Sequence, residues 1–424
     1  MTANKTKSTA GGPAFWKIAG AGASFQAGSS AVDSATIVAS LVNHLTGSVY
    51  AVGAASAVLR LGWLSTQLVV GFLAQRSARR MPYYIVGAFG RAACLAGLAG
   101  LLAIADNEAE SWLAIGFLSL WTVYAFVSGI VTVPYNDIVG RSIPSDARSR
   151  LLAWRFFGGG VLALGVAAIV HRLLTTGPLL TAYALIFALA SALMFVSSFS
   201  FMSAGEPPAP PRPRETVRSG GFRDFLVDGL AVLKSGGRFR LFLYTQWLGG
   251  ASLMVLPFYV IAATGAGLGL KDVGILLATQ TAGSLASNVF WGRIGDRRGK
   301  MKLLRSVGML RIVPPLGALA ILMVGNLSAD NILWSFATLF FAIGVLANGM
   351  TIGYLGYLME ISPDDRRPAY SAYFNTLASP AALLPLVGAM ITDALSLNAV
   401  FMVAMGAAIL QLYLYKRLAR LEGG

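Results

Sequence analysis

The sequence predicts an all-α polytopic membrane protein, with twelve transmembrane helices in two pseudo-symmetric six-helix bundles. Three observations carry this. The 424-residue chain is 56% hydrophobic and only 12% charged, whereas soluble domains carry about 25% charged residues. Charge-poor runs near the roughly 20 residues that cross a bilayer recur along its whole length. Two similar basic stretches, GFLAQRSARR from Gly71 and GRIGDRRGK from Gly292, lie about half the chain length apart, each between apolar runs. Duplication at half the chain length is a common plan for secondary transporters.

The apolar runs place spans, in order, at 18–43, 49–74, 81–105, 112–134, 153–173, 179–203, 239–264, 272–292, 303–325, 331–358, 370–392 and 398–416. Residues 204–238 are the one long break. They open with AGEPPAPPRPR, which favours extended polyproline backbone. They continue with GFRDFLVDGLAVLK, which reads either as a short helix on the membrane surface over 222–234 or as a linker. The expected domains are therefore an N-terminal six-helix bundle (1–203), a cytoplasmic linker (204–238) and a C-terminal six-helix bundle (239–424).

The net charge of +15 would suit a nucleic-acid partner, but its distribution speaks against one. Arg172 and Lys271 alone fall in odd-numbered loops, and Arg60, Arg91 and Arg311 fall inside spans. The rest of the 33 Lys and Arg lie in or beside the N-terminus, the even-numbered loops and the C-terminus. That asymmetry sets both termini in the cytoplasm and lets the basic loops meet anionic lipid. The single Cys94 and the two histidines, His44 and His171, offer no metal cluster and no intrachain disulfide. No cofactor is implied. The first span reads as a retained anchor, not a removed signal peptide.

A second internal match supports duplication. Pro144, Asp146 and Arg148 follow the fourth span, and Pro363, Asp365 and Arg367 follow the tenth, at the offset of the basic stretches to within two positions. At this point the chain resembles the major facilitator superfamily. The hallmark loop between spans 2 and 3 of that family runs G-x-L-a-D-r-x-G-r-k. Gly71, Leu73, Ala74, Arg76, Arg79 and Arg80 match it, while Gln75 replaces the acid and Ala78 the glycine. The second copy keeps Gly292, Asp296, Arg297, Gly299 and Lys300. The resemblance implies two bundles rocking about a central site, surrounded by spans 1, 4, 7 and 10. It also implies a cytoplasmic gate at these loop residues, in which the acid meets a neighbouring helix end. Gln75 weakens that role in the first half and Asp296 keeps it in the second. Gly299 permits a close turn, and the arginines serve equally as inside anchors. Span 5 has Gly158, Gly159, Gly160 and Gly165 but lacks the Gly-Pro pair of the drug–proton exporters in the superfamily. Those glycines suit close helix packing.

Ionisable groups at mid-span are costly, roughly 2.5–3.5 kcal/mol on insertion scales, so each needs a partner or a water-filled cavity. Asp33 lies on a polar face of span 1 with Gln26, Ser29, Ser30, Thr36 and Ser40. Span 2 has a matching stripe of Ser56, Arg60, Trp63 and Gln67. Asp33 and Arg60 are therefore expected to pair, either as a coupling carboxylate tuned by a nearby cation or as a permanent structural ion pair. Arg60 could also hold an anionic substrate group. Arg91 and Arg311, in spans 3 and 9, read as structural. Further candidate substrate contacts are Tyr124 (span 4), Gln246 (span 7), Gln280 and Asn288 (span 8), Asn348 (span 10) and Asn375 (span 11), and Pro380 and Pro385 should kink span 11. Gln26 and Gln246 stand apart by nearly the repeat offset.

The function expected is secondary active transport of a small solute by alternating access, coupled to a proton or ion, with an organic anion or metal chelate as candidate cargo. Export of amphipathic drugs or lipids is the alternative, and a non-transporting membrane sensor or assembly factor is the alternative of another class. No Walker loop or nucleophile–base pair points to an enzyme. A monomer in a bacterial inner membrane, with a small-molecule substrate and the lipid bilayer as partners, completes the expectation.

Overall fold

A computed structural model describes residues 12–77, 79–105, 111–208, 237–324, 328–361, 374–375 and 377–421. The segment at 222–234, the loop with Pro363, Asp365 and Arg367, and the side chains of Gln75, Arg76, Asp146 and Asp296 lie outside the described residues.

Backbone in a bilayer must satisfy its own hydrogen bonds, so the apolar runs become helices. The described residues contain no strand. The first expected span forms two helices, α1 (Pro13–Ala31) and α2 (Ile37–Thr46). Asp33 sits in the break. Its Oδ1 accepts hydrogen bonds from the Ala35 N–H (3.0 Å), the Thr36 N–H (3.0 Å) and the Thr36 hydroxyl (2.9 Å), so the carboxylate satisfies donors freed where the helix restarts. Next come α3 (Val49–Arg76) and α4 (Met81–Ala103). Expected span 4 is α5 (Ser111–Ile130) and α6 (Thr132–Ser142), followed by α7 (Ser145–Thr176) and α8 (Leu179–Met202).

The second half follows the same plan. Its helices are α9 (Gly237–Leu253), α10 (Leu256–Gly265), α11 (Val273–Arg298), α12 (Lys300–Leu310), α13 (Val313–Val324) and α14 (Ala329–Ile361). A 3₁₀ turn at Ser379–Leu383 leads into α15 (Leu384–Ala394), and α16 (Leu397–Arg420) ends the fold. The breaks at Val131, at 254–255 and at 311–312 each stand just ahead of a proline: Pro134, Pro257 and Pro314. Proline lacks the N–H that the preceding turn would use. Sequence reasoning foresees such a kink only at Pro380 and Pro385.

Among the described residues, ten helical stretches are long and apolar enough to cross a membrane. Expected spans 1 and 11 are not among them. Each is built from shorter pieces, including the apolar helices Ile37–Thr46 and Ser379–Ala394, because Asp33 interrupts one and two prolines the other.

Within the first half, α1 packs on α7 and α8, α3 on α5, and α4 on α5 and α8; in the second, α9 packs on α16, α11 on α14, and α12 on α14 and α16. Between the halves, α3 meets α15, α7 meets α11, and α2 meets α10. Crossings of backbone against backbone include one at a corresponding place in each half. A methyl group at Gly62 on α3 would lie 2.8 Å from the Ala125 carbonyl carbon, and one at Gly129 on α5 would lie 2.8 Å from the Gly62 carbonyl oxygen. On α11 and α14, methyl groups at Gly283 and Gly344 would run into the carbonyl oxygens of Phe341 and Gln280. Gly62 and Gly283 are separated by the same offset as Gly71 and Gly292 of the basic loops.

Several contacts joining the halves sit toward the end opposite those loops. The Tyr50 hydroxyl donates to Asp393 Oδ2 at 2.8 Å. His171 Nδ1 lies 3.2 Å from the Lys271 carbonyl oxygen. A methyl group at Gly53 would stand 2.7 Å from the Pro385 carbonyl oxygen. At the basic-loop end, Gly299 adopts a φ of +83° between α11 and α12, a backbone conformation that L side chains resist.

Candidate functional site

Two cavities of about 450 Å³ each occupy the middle of the molecule. The first lies among the helices of the N-terminal half. Asp33, Arg60, Arg91, Tyr124, Tyr135 and Arg155 are its chemically active walls, with Trp63 and Trp121 as its broad apolar ones. The second lies mainly in the C-terminal half, lined by Gln246, Arg311, Thr351 and Tyr354 among others. Arg60 and Trp63 line both.

Asp33 is the only carboxylate among the described residues lining either cavity. It and Arg60 act on each other electrostatically, yet among the described residues no ion pair within 4 Å joins them. The carboxylate spends its hydrogen bonds on the helix break instead. Depth in the membrane follows from sequence position, but rotation about the helix axis does not, so the expected pairing becomes a shared wall.

Two arginines that read as structural in the sequence face the cavities. Arg91 is 5% exposed, its guanidinium lies 4.4 Å from the Phe25 ring centroid, and its Nε has no hydrogen-bond partner among the described residues. Arg311 sits in the break between α12 and α13. Its Nη1 donates to Gln411 Oε1 at 3.0 Å, and its Nη2 is buried without a partner among the described residues. Sequence reasoning misses Arg155, which stands so near the basic end of α7 that it reads as an anchor. It reaches inward over Gly22, donates to the Tyr135 hydroxyl at 3.0 Å and lies over the Tyr135 ring, a cation–π contact.

The other candidates divide. Tyr124 lines the first cavity, stacked on Trp121 with centroids 4.9 Å apart. Gln246 lines the second, with a buried Nε2 that lacks a partner among the described residues. Asn375 reaches that cavity through Tyr354, whose hydroxyl donates to Asn375 Oδ1 at 2.5 Å. Asn348 instead ties α14 to α11, donating to the Ser284 carbonyl (2.8 Å) and hydroxyl (2.6 Å). Gln26 lies against Gly159 on α7. Gln67, Gln280 and Asn288 line neither cavity, and Gln67 Nε2 and Gln280 Oε1 are buried without partners among the described residues.

At the basic-loop end, the structure supplies acids that the loop lacks. The Glu206 carboxylate accepts from the Arg80 and Met81 N–H groups (2.8 and 2.9 Å) and from Arg141 (2.7 Å). Asp137 meets Arg141 at 2.8 Å and Arg80 at 3.3 Å. Glu206 and Asp137, neither visible as a loop motif, thus tie Arg80, Met81 and Arg141 together at this end. In the second copy, Arg297 is exposed and the Lys300 stem packs over Gly356. Methyl groups at Gly71 and Gly292 would meet nothing within 4 Å, and Arg79 is exposed.

Burial works against the Glu206 charge, but the Arg141 hydrogen bond, the two backbone N–H donors and the Arg141 charge outweigh it and hold the carboxyl below its ordinary value of 4.5. A lowered folded pKa adds stability that is complete above the ordinary value and fades as pH falls through the lowered one. Glu206→Gln is therefore expected to cost about 1–3 kcal/mol at neutral pH and nothing once wild-type Glu206 is protonated. Thermal melting of both proteins from pH 7 downward checks this: the two curves converge in acid.

The sequence profile described as Major Facilitator Superfamily matches residues 18–381 and 254–422. An uncharacterized protein of Mycobacterium tuberculosis is 22% identical over 280 residues, 65% of this chain and 53% of that protein; the chain thus spans about half the length of the first curated relatives it matches. The multidrug resistance protein MdtG of Dickeya zeae is 31% identical over 174 residues, 38% of this chain and 40% of that one. Among solved structures, the nucleoside transporter NupG superposes with a TM-score of 0.69 at 10% identity, covering 96% of this chain and 99% of that one. A POT family transporter in complex with 5-aminolevulinic acid gives 0.68 at 12% identity, with 94% of each chain covered.

Proposed function

This chain belongs to the Major Facilitator Superfamily, and from that premise we propose that it is a secondary active transporter whose coupling group is Asp33. Family and fold make it an integral multi-pass membrane transporter, not an enzyme. The observation that carries the coupling role is the placement of Asp33: the one carboxylate among the described residues of the cavity walls, at a helix break, within electrostatic reach of Arg60. Binding or loss of its proton changes the charge of the cavity at the point where α1 can bend against α2. Such a group links a gradient to a conformational change by differential affinity for two states.

In this reading, residues 1–203 and 239–424 rock as two bundles, with 204–238 as the connection. The halves meet through Tyr50–Asp393 and His171–Lys271 at the end away from the basic loops. With those loops in the cytoplasm of a bacterial cell, this is an inward-facing state of an inner-membrane protein. The name of MdtG points to drug export, but four arginines against one acid among the described residues of the cavity walls suit an anion better than a lipophilic cation.

The test is solute flux in proteoliposomes under an imposed proton gradient, with and without an uncoupler. Accumulation that the uncoupler abolishes supports the reading. Equal fluxes with and without the gradient exclude coupling.

A further inference from the structure

The two cavities contain the same arrangement twice. Arg91 corresponds to Arg311, Tyr135 to Tyr354 and Arg155 to Asn375, each pair separated by the offset of the repeated loops to within two positions. In the first half, Arg155 donates to Tyr135 at 3.0 Å beside Arg91. In the second, Tyr354 donates to Asn375 at 2.5 Å, in the cavity that Arg311 lines. Each half therefore presents a buried arginine from its third expected span, a tyrosine from the cytoplasmic part of its fourth or just beyond it, and a polar partner from its fifth. Arg60 stands between, on the walls of both cavities.

The charges do not balance. Arg91 and Arg155 lie within electrostatic range of each other, as do Arg60 and Arg311. No ion pair among the described residues holds any of the four, and Asp33 is the single carboxylate described on either wall. Arg91 and Arg311 are 5% and 4% exposed, and each has a guanidinium nitrogen without a partner among the described residues. Buried guanidiniums with free N–H donors are receptors for carboxylate or phosphate oxygens. Trp63 lines both cavities and Trp121 the first, broad apolar faces for a substrate body.

We propose that the two cavities form one receptor for an organic dianion, with one anionic group held at Arg91 and Arg155 and the other at Arg311, its apolar middle passing Arg60 and Trp63. The inference rests on the transport reading above, since it names the solute class that the same cavities receive. Asn375 stands where a second Arg155 would, so the N-terminal site is the more basic and takes the more strongly charged end.

The experiment is equilibrium binding by calorimetry to the purified full chain in lipid nanodiscs. The probes are linear dicarboxylates from succinate to sebacate, with hexanoate as the monoanion and cadaverine as the dication. At least one dicarboxylate is expected to bind saturably, with an optimum in length and about tenfold or more tighter than hexanoate. Arg91→Gln and Arg311→Gln should each weaken it about tenfold or more, whereas hexanoate should respond to only one of the two. Melting curves identify misfolded variants, in which case Arg91→Lys and Arg311→Lys take their place and are expected to weaken the dicarboxylate while retaining measurable binding. No binding by any dicarboxylate, binding indifferent to both arginines, or tighter binding of cadaverine overturns the proposal. Gradient-driven flux of a neutral or cationic solute would overturn it while leaving the transport reading intact. Dicarboxylate binding without flux would do the reverse.

Discussion

Asp33→Asn is expected to reduce gradient-driven accumulation about a hundredfold or more, the scale on which a positioned proton-transfer group matters, while the protein stays folded. Asparagine keeps an oxygen where Asp33 Oδ1 accepts from Ala35 and Thr36, so the start of α2 keeps its cap. Only the charge and the exchangeable proton are lost. Asp33→Ala removes the cap as well and should melt lower by the equivalent of about 1 kcal/mol. Flux in proteoliposomes and thermal melting, measured on both variants, separate the two roles. Unchanged uncoupler-sensitive accumulation in Asp33→Asn would remove the coupling assignment, whatever the melting temperatures.

Gly283→Leu and Gly344→Leu are the substitutions expected to damage folding most. At these positions even a methyl group would overlap a carbonyl oxygen on the facing helix, and backbone cannot swing aside as a flexible side chain can. Overpacking of this kind costs about 1–3 kcal/mol or more, and small residues set how closely membrane helices approach. Gly165→Ala is the internal control. Nothing lies within 4 Å of where its methyl group would stand, and alanine favours helix over glycine by roughly 1 kcal/mol. Monodisperse yield and melting temperature should fall sharply for the first two and hold or rise for the third. Normal yield and melting for Gly344→Leu would mean that α11 and α14 can separate at little cost.

The class of fold is legible in the sequence because hydropathy records depth: apolar runs, basic loops and the repeat offset all lie in one dimension. What is not legible depends on rotation and on distant partners. Asp33 and Arg60 sit at compatible depths, but only the packed helices decide whether their side chains meet. Arg91 and Arg311 read as structural in the sequence, yet they line the cavities. Arg155 is hidden by its nearness to a basic helix end. One signal for it exists, since Asn375, itself a candidate contact, follows it by the repeat offset. Glu206 reaches Arg80, Met81 and Arg141 from the start of the 204–238 linker, a relation that no local motif records.

The glycine crossings at Gly62–Gly129 and Gly283–Gly344 have a mechanical meaning. A joint in which backbone rests on backbone has no side chains to rearrange, so it behaves like a weld. These two joints stiffen each half at a corresponding place, so deformation inside a half is driven elsewhere. The compliant points are the breaks at Asp33, Val131, 254–255 and Arg311, three of which stand at cavity-lining residues. Stiffness and compliance are thus allotted by residue type: glycine where the frame must hold, and proline or a capping acid where it must flex.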